Sequence, residues 1–189
     1  MEKQKLELRH LAPYLPYGLQ VKLEFASDTE LPWYYEDKEV FTLEGMMLDW
    51  YNSSNITKIT PLLIPPFMLK KELTIGGETF IPIRKLFEIP NEGTRLIDEN
   101  DGIIKIRGGQ YIDVMWDRLV DDFGEIETHQ FIYSPDHRCF NHRIYDFEKE
   151  EYYPMDITNQ VDLINKLFEW HFDVFDLINS GLALNKTQS

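Results

Sequence analysis

The stretch Leu19-Gln20-Val21-Lys22-Leu23-Glu24-Phe25 carries an apolar side chain at every second position. Only an extended strand gathers such residues onto one face, and that face needs a second layer to cover it. A covering element is offered near the other end. There Val161, Ile164, Leu167, Phe168, His171, Phe172, Phe175 and Ile178 recur at helical spacing between a cap at Asp156 or Thr158 and a stop at Gly181, which predicts one long C-terminal helix. Packing that helix on the sheet satisfies both faces, so the expected core includes Leu19, Val21, Leu23, Leu167, Phe168, His171 and Phe175.

Between these anchors the punctuation is dense. Leu6 to Gly18 reads as a short helical turn or irregular segment halted by Pro13 and Pro16. Ala26 to Glu39 reads as a loop, Val40 to Trp50 as a strand, and Ile56 to Ile64 as a further strand. Pro61, Pro65 and Pro66 place that last strand at a sheet edge or end it early. Gly76-Gly77, flanked by Leu73-Thr74-Ile75 and Glu78-Thr79-Phe80, accepts the positive φ angles of a tight hairpin turn. Ile112, Met115, Trp116, Leu119 and Phe123 predict a short helix over 110–123, stopped by Gly124. Ile126 to Tyr133 and Phe140 to Phe147 predict a second hairpin around Ser134-Pro135-Asp136. The expected fold class is therefore α+β: a mainly antiparallel sheet of five or more strands, barrel-like in its most curled form, with a long C-terminal helix packed on it. At 189 residues, 43% of them apolar and 14% aromatic, the chain has material for one cooperative core, and a single domain over 1–189 is expected.

Charge and cysteine content exclude several functions. With 33 acidic against 19 basic residues the net charge is −14, and no basic cluster is longer than Lys70-Lys71. Such a chain has no patch to neutralise a run of phosphates, so direct nucleic-acid binding and anionic membrane surfaces are both disfavoured. The one cysteine, Cys139, rules out an internal disulfide, an all-thiolate zinc site and a thiol redox pair. The charged opening Met1-Glu2-Lys3-Gln4-Lys5 is unlike a secretory signal, and no stretch approaches the length of a membrane span. A cytoplasmic protein is expected. The glycosylation-like triplets at Asn52, Asn55 and Asn185 then carry no meaning.

Three stretches carry a resemblance: His10-Leu11-Ala12-Pro13-Tyr14-Leu15-Pro16-Tyr17-Gly18-Leu19, Ile59-Thr60-Pro61-Leu62-Leu63-Ile64, and Lys166-Leu167-Phe168-Glu169-Trp170-His171-Phe172-Asp173-Val174-Phe175 with Gly181-Leu182-Ala183 beyond it. In these the chain resembles the short proteins found in many copies in Bacteroidetes genomes and their prophages, a family without an established activity. The resemblance implies a mobile-element origin and no catalytic residue. Where the resembled proteins tend to carry glycine after Asp-Val-Phe, this chain has Asp176.

Two kinds of site are suggested by the residues. Pro32-Trp33-Tyr34-Tyr35-Glu36-Asp37 sets adjacent aromatics in an acidic loop, which either folds over the sheet or presents Trp33, Tyr34, Tyr35, Glu36 and Asp37 to a protein partner. Glu148-Lys149-Glu150-Glu151 with Tyr152-Tyr153 is a similar patch that reads as a solvated face. His129, His137 and His142, with Asp146, Asp121, Asp122, Glu125 and Glu127 nearby, have the side chains of a divalent-metal site, although no fixed-spacing hydrolase motif surrounds them. His171 reads as a hydrogen-bonded core histidine rather than a general base, and Cys139 as a packed thiol. The leading expectation is a non-enzymatic accessory protein that needs no cofactor and binds a host or phage protein with a basic surface, for instance a DNA-binding protein that it inhibits. The alternative is a metal-dependent hydrolase or nuclease built on His129, His137 and His142.

Overall fold

The computed structural model describes residues 6–27, 38–88, 112–119 and 126–188. In chain order its elements are α1 (Leu8–Leu11), β1 (Gln20–Phe25), β2 (Phe41–Thr42), α2 (Gly45–Asn52), β3 (Ile56–Leu63), β4 (Leu73–Ile75), β5 (Glu78–Phe80), α3 (Pro82–Glu88), β6 (Ile112–Leu119), β7 (Ile126–Ser134), β8 (Cys139–Asp146), β9 (Glu151–Met155), α4 (Gln160–Glu169) and β10 (Leu184–Asn185). The chain forms two compact units, one of Met1–Pro65 with Leu167–Ser189 and one of Pro66–Lys166. The class is α+β and the sheets are mainly antiparallel. Among the described residues the strands form two open four-stranded sheets and one hairpin, so the expected single sheet of five or more strands and its barrel-like form are corrected.

In the first unit the sheet order is β10-β3-β1-β2. The alternation of β1 works as read for Leu19 and Val21, which are fully buried, while Leu23 is half-buried. Its antiparallel register with β3 runs from Val21 opposite Pro61 to Phe25 opposite Ile56. β3 is thus internal rather than at an edge, and it ends at Leu63, ahead of Pro65 and Pro66. Pro61 is tolerated there because it is the last partner of β1, and the parallel pairing with β10 begins one residue later, at Leu62 opposite Leu184. Val40 to Trp50 is extended only at Phe41–Thr42 and then helical. No β-branched residue occurs between Leu43 and Asn52, while Met46, Met47 and Leu48 are good helix formers.

The long C-terminal helix is also corrected: α4 is ten residues and ends at Glu169. The His171 N–H donates to the Phe168 carbonyl at 3.0 Å and the Phe172 N–H to the Leu167 carbonyl at 2.9 Å, with His171 left-handed at φ 60°. These paired bonds form a Schellman cap, with histidine where glycine is usual. At Phe172 the chain runs parallel to Ile64, whose N–H donates to the His171 carbonyl and whose carbonyl accepts the Asp173 N–H, each at 2.8 Å. Of the expected core residues at this end, Leu167 and Phe168 are buried, and His171 and Phe175 are half-buried. Asp176 has φ 59°, a left-handed backbone that glycine would adopt without strain.

The three stretches that carry the resemblance pack together in this unit. The wholly buried Tyr14 hydroxyl donates to the Phe172 carbonyl at 2.7 Å and accepts the Val174 N–H at 3.3 Å. The Tyr14 ring meets Phe168 edge-on at 4.9 Å, and the His171 Nε2 is 2.9 Å from the Tyr17 carbonyl. Since a carbonyl only accepts, that nitrogen carries the proton. The opening segment runs as a 3₁₀ helix over Ala12–Tyr17 and ends at Gly18 in the left-handed region.

In the second unit the sheet order is β6-β7-β8-β9. The predicted Gly-Gly hairpin is present as β4–β5, with φ 62° and 85° at Gly76 and Gly77. The β7–β8 hairpin is present as well, around the turn Pro135–Arg138. The expected helix over 110–123 is corrected to the strand β6, which pairs with β7 from Ile112 opposite Tyr133 to Leu119 opposite Ile126. Ile112, Val114 and Trp116 also fit a period of two, and the continuous ladder with β7 selects it over the helical spacing. Ile83, Leu86, Phe87, Phe131, Tyr133 and Phe140 are buried in this unit's core.

Candidate functional site

The β7–β8 hairpin sorts its residues by parity. Phe131 lies opposite His142 and His129 opposite Ile144, so His129, Phe131, Tyr133, Phe140 and His142 share one face, and Gln130, Ile132, Ser134, Asn141 and Arg143 share the other. The first face packs against Phe87 of α3, whose ring is 5.7 Å from Phe131 and 6.1 Å from His142.

On that face two of the three predicted histidines meet. His129 and His142 are diagonal cross-strand neighbours with stacked rings, and His129 Nδ1 is 3.0 Å from His142 Nε2. That contact uses one ring as donor and the other as acceptor, so a second proton would remove the bond and set two cations side by side. His142 is lowered to about 4, first by burial and then by the charge of His129. His137 does not join them: it is exposed in the turn and bonds the Ser134 hydroxyl at 3.1 Å. Among the described residues no three His, Cys, Asp or Glu side chains stand close enough to hold a metal ion. Asp146 caps its own turn instead, accepting the Glu148 and Lys149 N–H groups at 2.9 and 3.1 Å. Those donors, Lys149 foremost, hold its carboxyl below the usual range. Asp121, Asp122 and Glu125 lie outside the described residues, as do Trp33, Tyr34, Tyr35, Glu36 and Asp37.

The second face carries what the sequence reading passed over. Arg143 stands opposite Gln130 and donates from Nε to the Gln130 Oε1 at 2.6 Å, while its guanidinium lies 4.1 Å over the ring of Tyr152 on β9. β9 leaves β8 after Met155, and Gln160 at the start of α4 binds back to the Phe140 backbone as both donor and acceptor. Between them opens a concavity of about 640 Å³ lined by Ile132, Asn141, Arg143, Tyr152, Pro154 and Ile157 among others. At the far end of the hairpin the Tyr145 ring is 4.9 Å from both Phe147 and Tyr152. Phe147 is 61% exposed, and the turn and strand around it hold exposed Glu148, Glu150 and Glu151. The patch read as a solvated face therefore includes an edge strand with rings packed upon it. Alternation from Cys139 to Phe147 was the available signal, since it aligns Asn141, Arg143, Tyr145 and Phe147 once 140–147 is a strand.

Cys139 is half-buried, and the Asn141 amide is 3.7 Å from its sulfur. Burial lowers His171, against the opposing effect of its bond to Tyr17. Asp173 is buried at the start of the turn that follows and accepts the Leu177 and Ile178 N–H groups at 2.9 and 2.8 Å. Burial raises its carboxyl, and those bonds only partly offset the rise. Among the described residues no helix is long and apolar enough to cross a membrane. Comparison with protein-family models, curated proteins and solved structures finds no match.

Proposed function

We propose that this chain is a cytoplasmic accessory protein of a phage or integrated element that acts by binding another protein, and that the outer end of the β8–β9 hairpin takes part in the contact. The observation that carries the reading is the Tyr145, Phe147 and Tyr152 cluster. Its rings hold one another at 4.9 Å while Phe147 stays 61% exposed. Aromatic side chains already fixed by their neighbours give up little conformational freedom on binding, and such residues concentrate interface energy. Asp146, Glu148, Glu150 and Glu151 against Lys149 make the rim acidic, in keeping with a net charge of −14, so the partner presents basic groups. The mobile-element origin is supported by the motif resemblance, whose three stretches pack on one another.

The test is affinity capture by the full chain from host lysate at low and high salt, followed by titration of the captured protein. A basic partner is expected whose binding weakens with salt. Phe147→Ala with Tyr145→Ala should cost at least about 2 kcal/mol, and Trp33→Ala with Tyr34→Ala shows whether the acidic aromatic loop shares the contact. No basic partner at low salt, or binding indifferent to salt and to both pairs of substitutions, would overturn the reading.

A further inference from the structure

We propose that the concavity beside β8 and β9 is a binding site for a carboxylate attached to an apolar body, with Arg143 as its anchor. Arg9, Lys58, Lys85 and Lys149 each pair with a carboxylate, as an acidic chain makes easy. Arg143 has instead an amide, Gln130, on its Nε and an aromatic ring, Tyr152, on its face. Neither partner neutralises the cation, and neither uses the two Nη groups. The fork is thus fixed in orientation before any ligand arrives, which removes much of the ordering cost of binding.

The rest of the lining defines the ligand. Ile132, Tyr152, Pro154 and Ile157 offer apolar surface, and Asn141 supplies a polar group near the arginine. A volume of about 640 Å³ falls within the range of small-molecule sites. Asp156 also lines the concavity, and the whole chain is strongly anionic, so a dianionic phosphate is opposed more than a single carboxylate, which also matches the fork in a bidentate manner. The carboxylate has two sources that share this chemistry, a small aromatic or aliphatic acid and the C-terminus of a peptide ending in an apolar residue.

The experiment is a titration of the isotope-labelled full chain, read by amide chemical shifts, with phenylacetate and with phenylacetamide as its neutral match. Saturable shifts at Ile132, Asn141, Arg143 and Tyr152 are expected with phenylacetate. They should be weakened about tenfold or more for phenylacetamide and for Arg143→Gln, as loss of a charged hydrogen-bonded pair requires. Gln130→Glu keeps the arginine in place but supplies a carboxylate from within, so it too should weaken binding about tenfold. It stands in if Arg143→Gln fails to fold. Tighter binding of acetyl-glycyl-phenylalanine than of phenylacetate assigns the site to peptide termini, the reverse order assigns it to small acids, and either supports the proposal. It is overturned if acid and amide bind alike, if neither variant weakens phenylacetate, or if no saturable shift reaches these residues by about 10 mM.

Discussion

Removing one oxygen from Tyr14 isolates the bond between the opening and closing segments of the first unit. Tyr14→Phe keeps the ring, and with it the edge contact to Phe168 at 4.9 Å and the contact to Phe175 at 6.4 Å, so packing changes little. What goes is the acceptor of the Val174 N–H and the donor to the Phe172 carbonyl. Because the tyrosine is wholly buried, water cannot easily replace it, and orphaned buried groups cost about 1–3 kcal/mol each. The longer 3.3 Å bond to Val174 is the weaker of the two, which places the expected loss at about 2–3 kcal/mol. Urea unfolding followed by circular dichroism should show a lower midpoint with an unchanged slope, and heating a midpoint lower by about 2–4 °C per kcal/mol. Amide exchange at Val174 should accelerate in parallel. A loss below about 0.5 kcal/mol would mean that the two segments are not joined through this hydroxyl.

His171 sits left-handed at a helix cap and His142 is half-buried beside another imidazole, and each yields a further test. At His171, alanine loses the bond to Tyr17 and keeps the backbone strain, whereas glycine loses the bond and relieves the strain. His171→Ala should therefore be less stable than His171→Gly by about 1 kcal/mol in urea, and equal stabilities would contradict the left-handed cap. For His142 the folded value of about 4 lies below the ordinary 6.5, so the unfolded chain binds more protons between those limits. Stability then falls as pH drops from 6.5 towards 4. His142→Phe should flatten that part of a stability-against-pH curve, and an unchanged slope would refute the assignment.

Much of the fold was legible where local pattern and tertiary demand agree. Gly76-Gly77 fixes its turn by backbone sterics alone, β1 shows its buried face by alternation, and β7 and β8 are separated by a recognisable turn. The errors share a cause. Ile112, Met115, Trp116 and Leu119 fit helical spacing, yet Ile112, Val114 and Trp116 fit a strand equally well, and only pairing with β7 decides between them. The apolar stripe from Val161 to Ile178 continues past Glu169, but the helix stops because His171 takes a left-handed backbone and is tied to Tyr17, far away in sequence. Of the candidate site, the meeting of His129 with His142 was foreseeable as soon as the two strands were paired, although their register was not. Arg143 was invisible for a different reason: nothing in its neighbourhood along the chain distinguishes it from a solvated arginine, and its character comes from Gln130 and Tyr152 on adjacent strands.

The first unit is made from both ends of the chain, with the whole of Pro66–Lys166 inserted between its two parts. During synthesis the usual order, in which N-terminal units fold first, is therefore reversed. Residues up to Pro65 emerge with β1, β2 and β3 but without the partners of Tyr14 and Ile64, which lie at His171 to Val174. The inserted unit can form its hairpins from near neighbours in the meantime, and by folding it shortens the effective loop that the first unit must close. Until Leu167–Ser189 leaves the ribosome, Tyr14 lacks the segment it packs against and β3 lacks β10 along its edge, and that interval is when the nascent protein is most open to aggregation or to a chaperone.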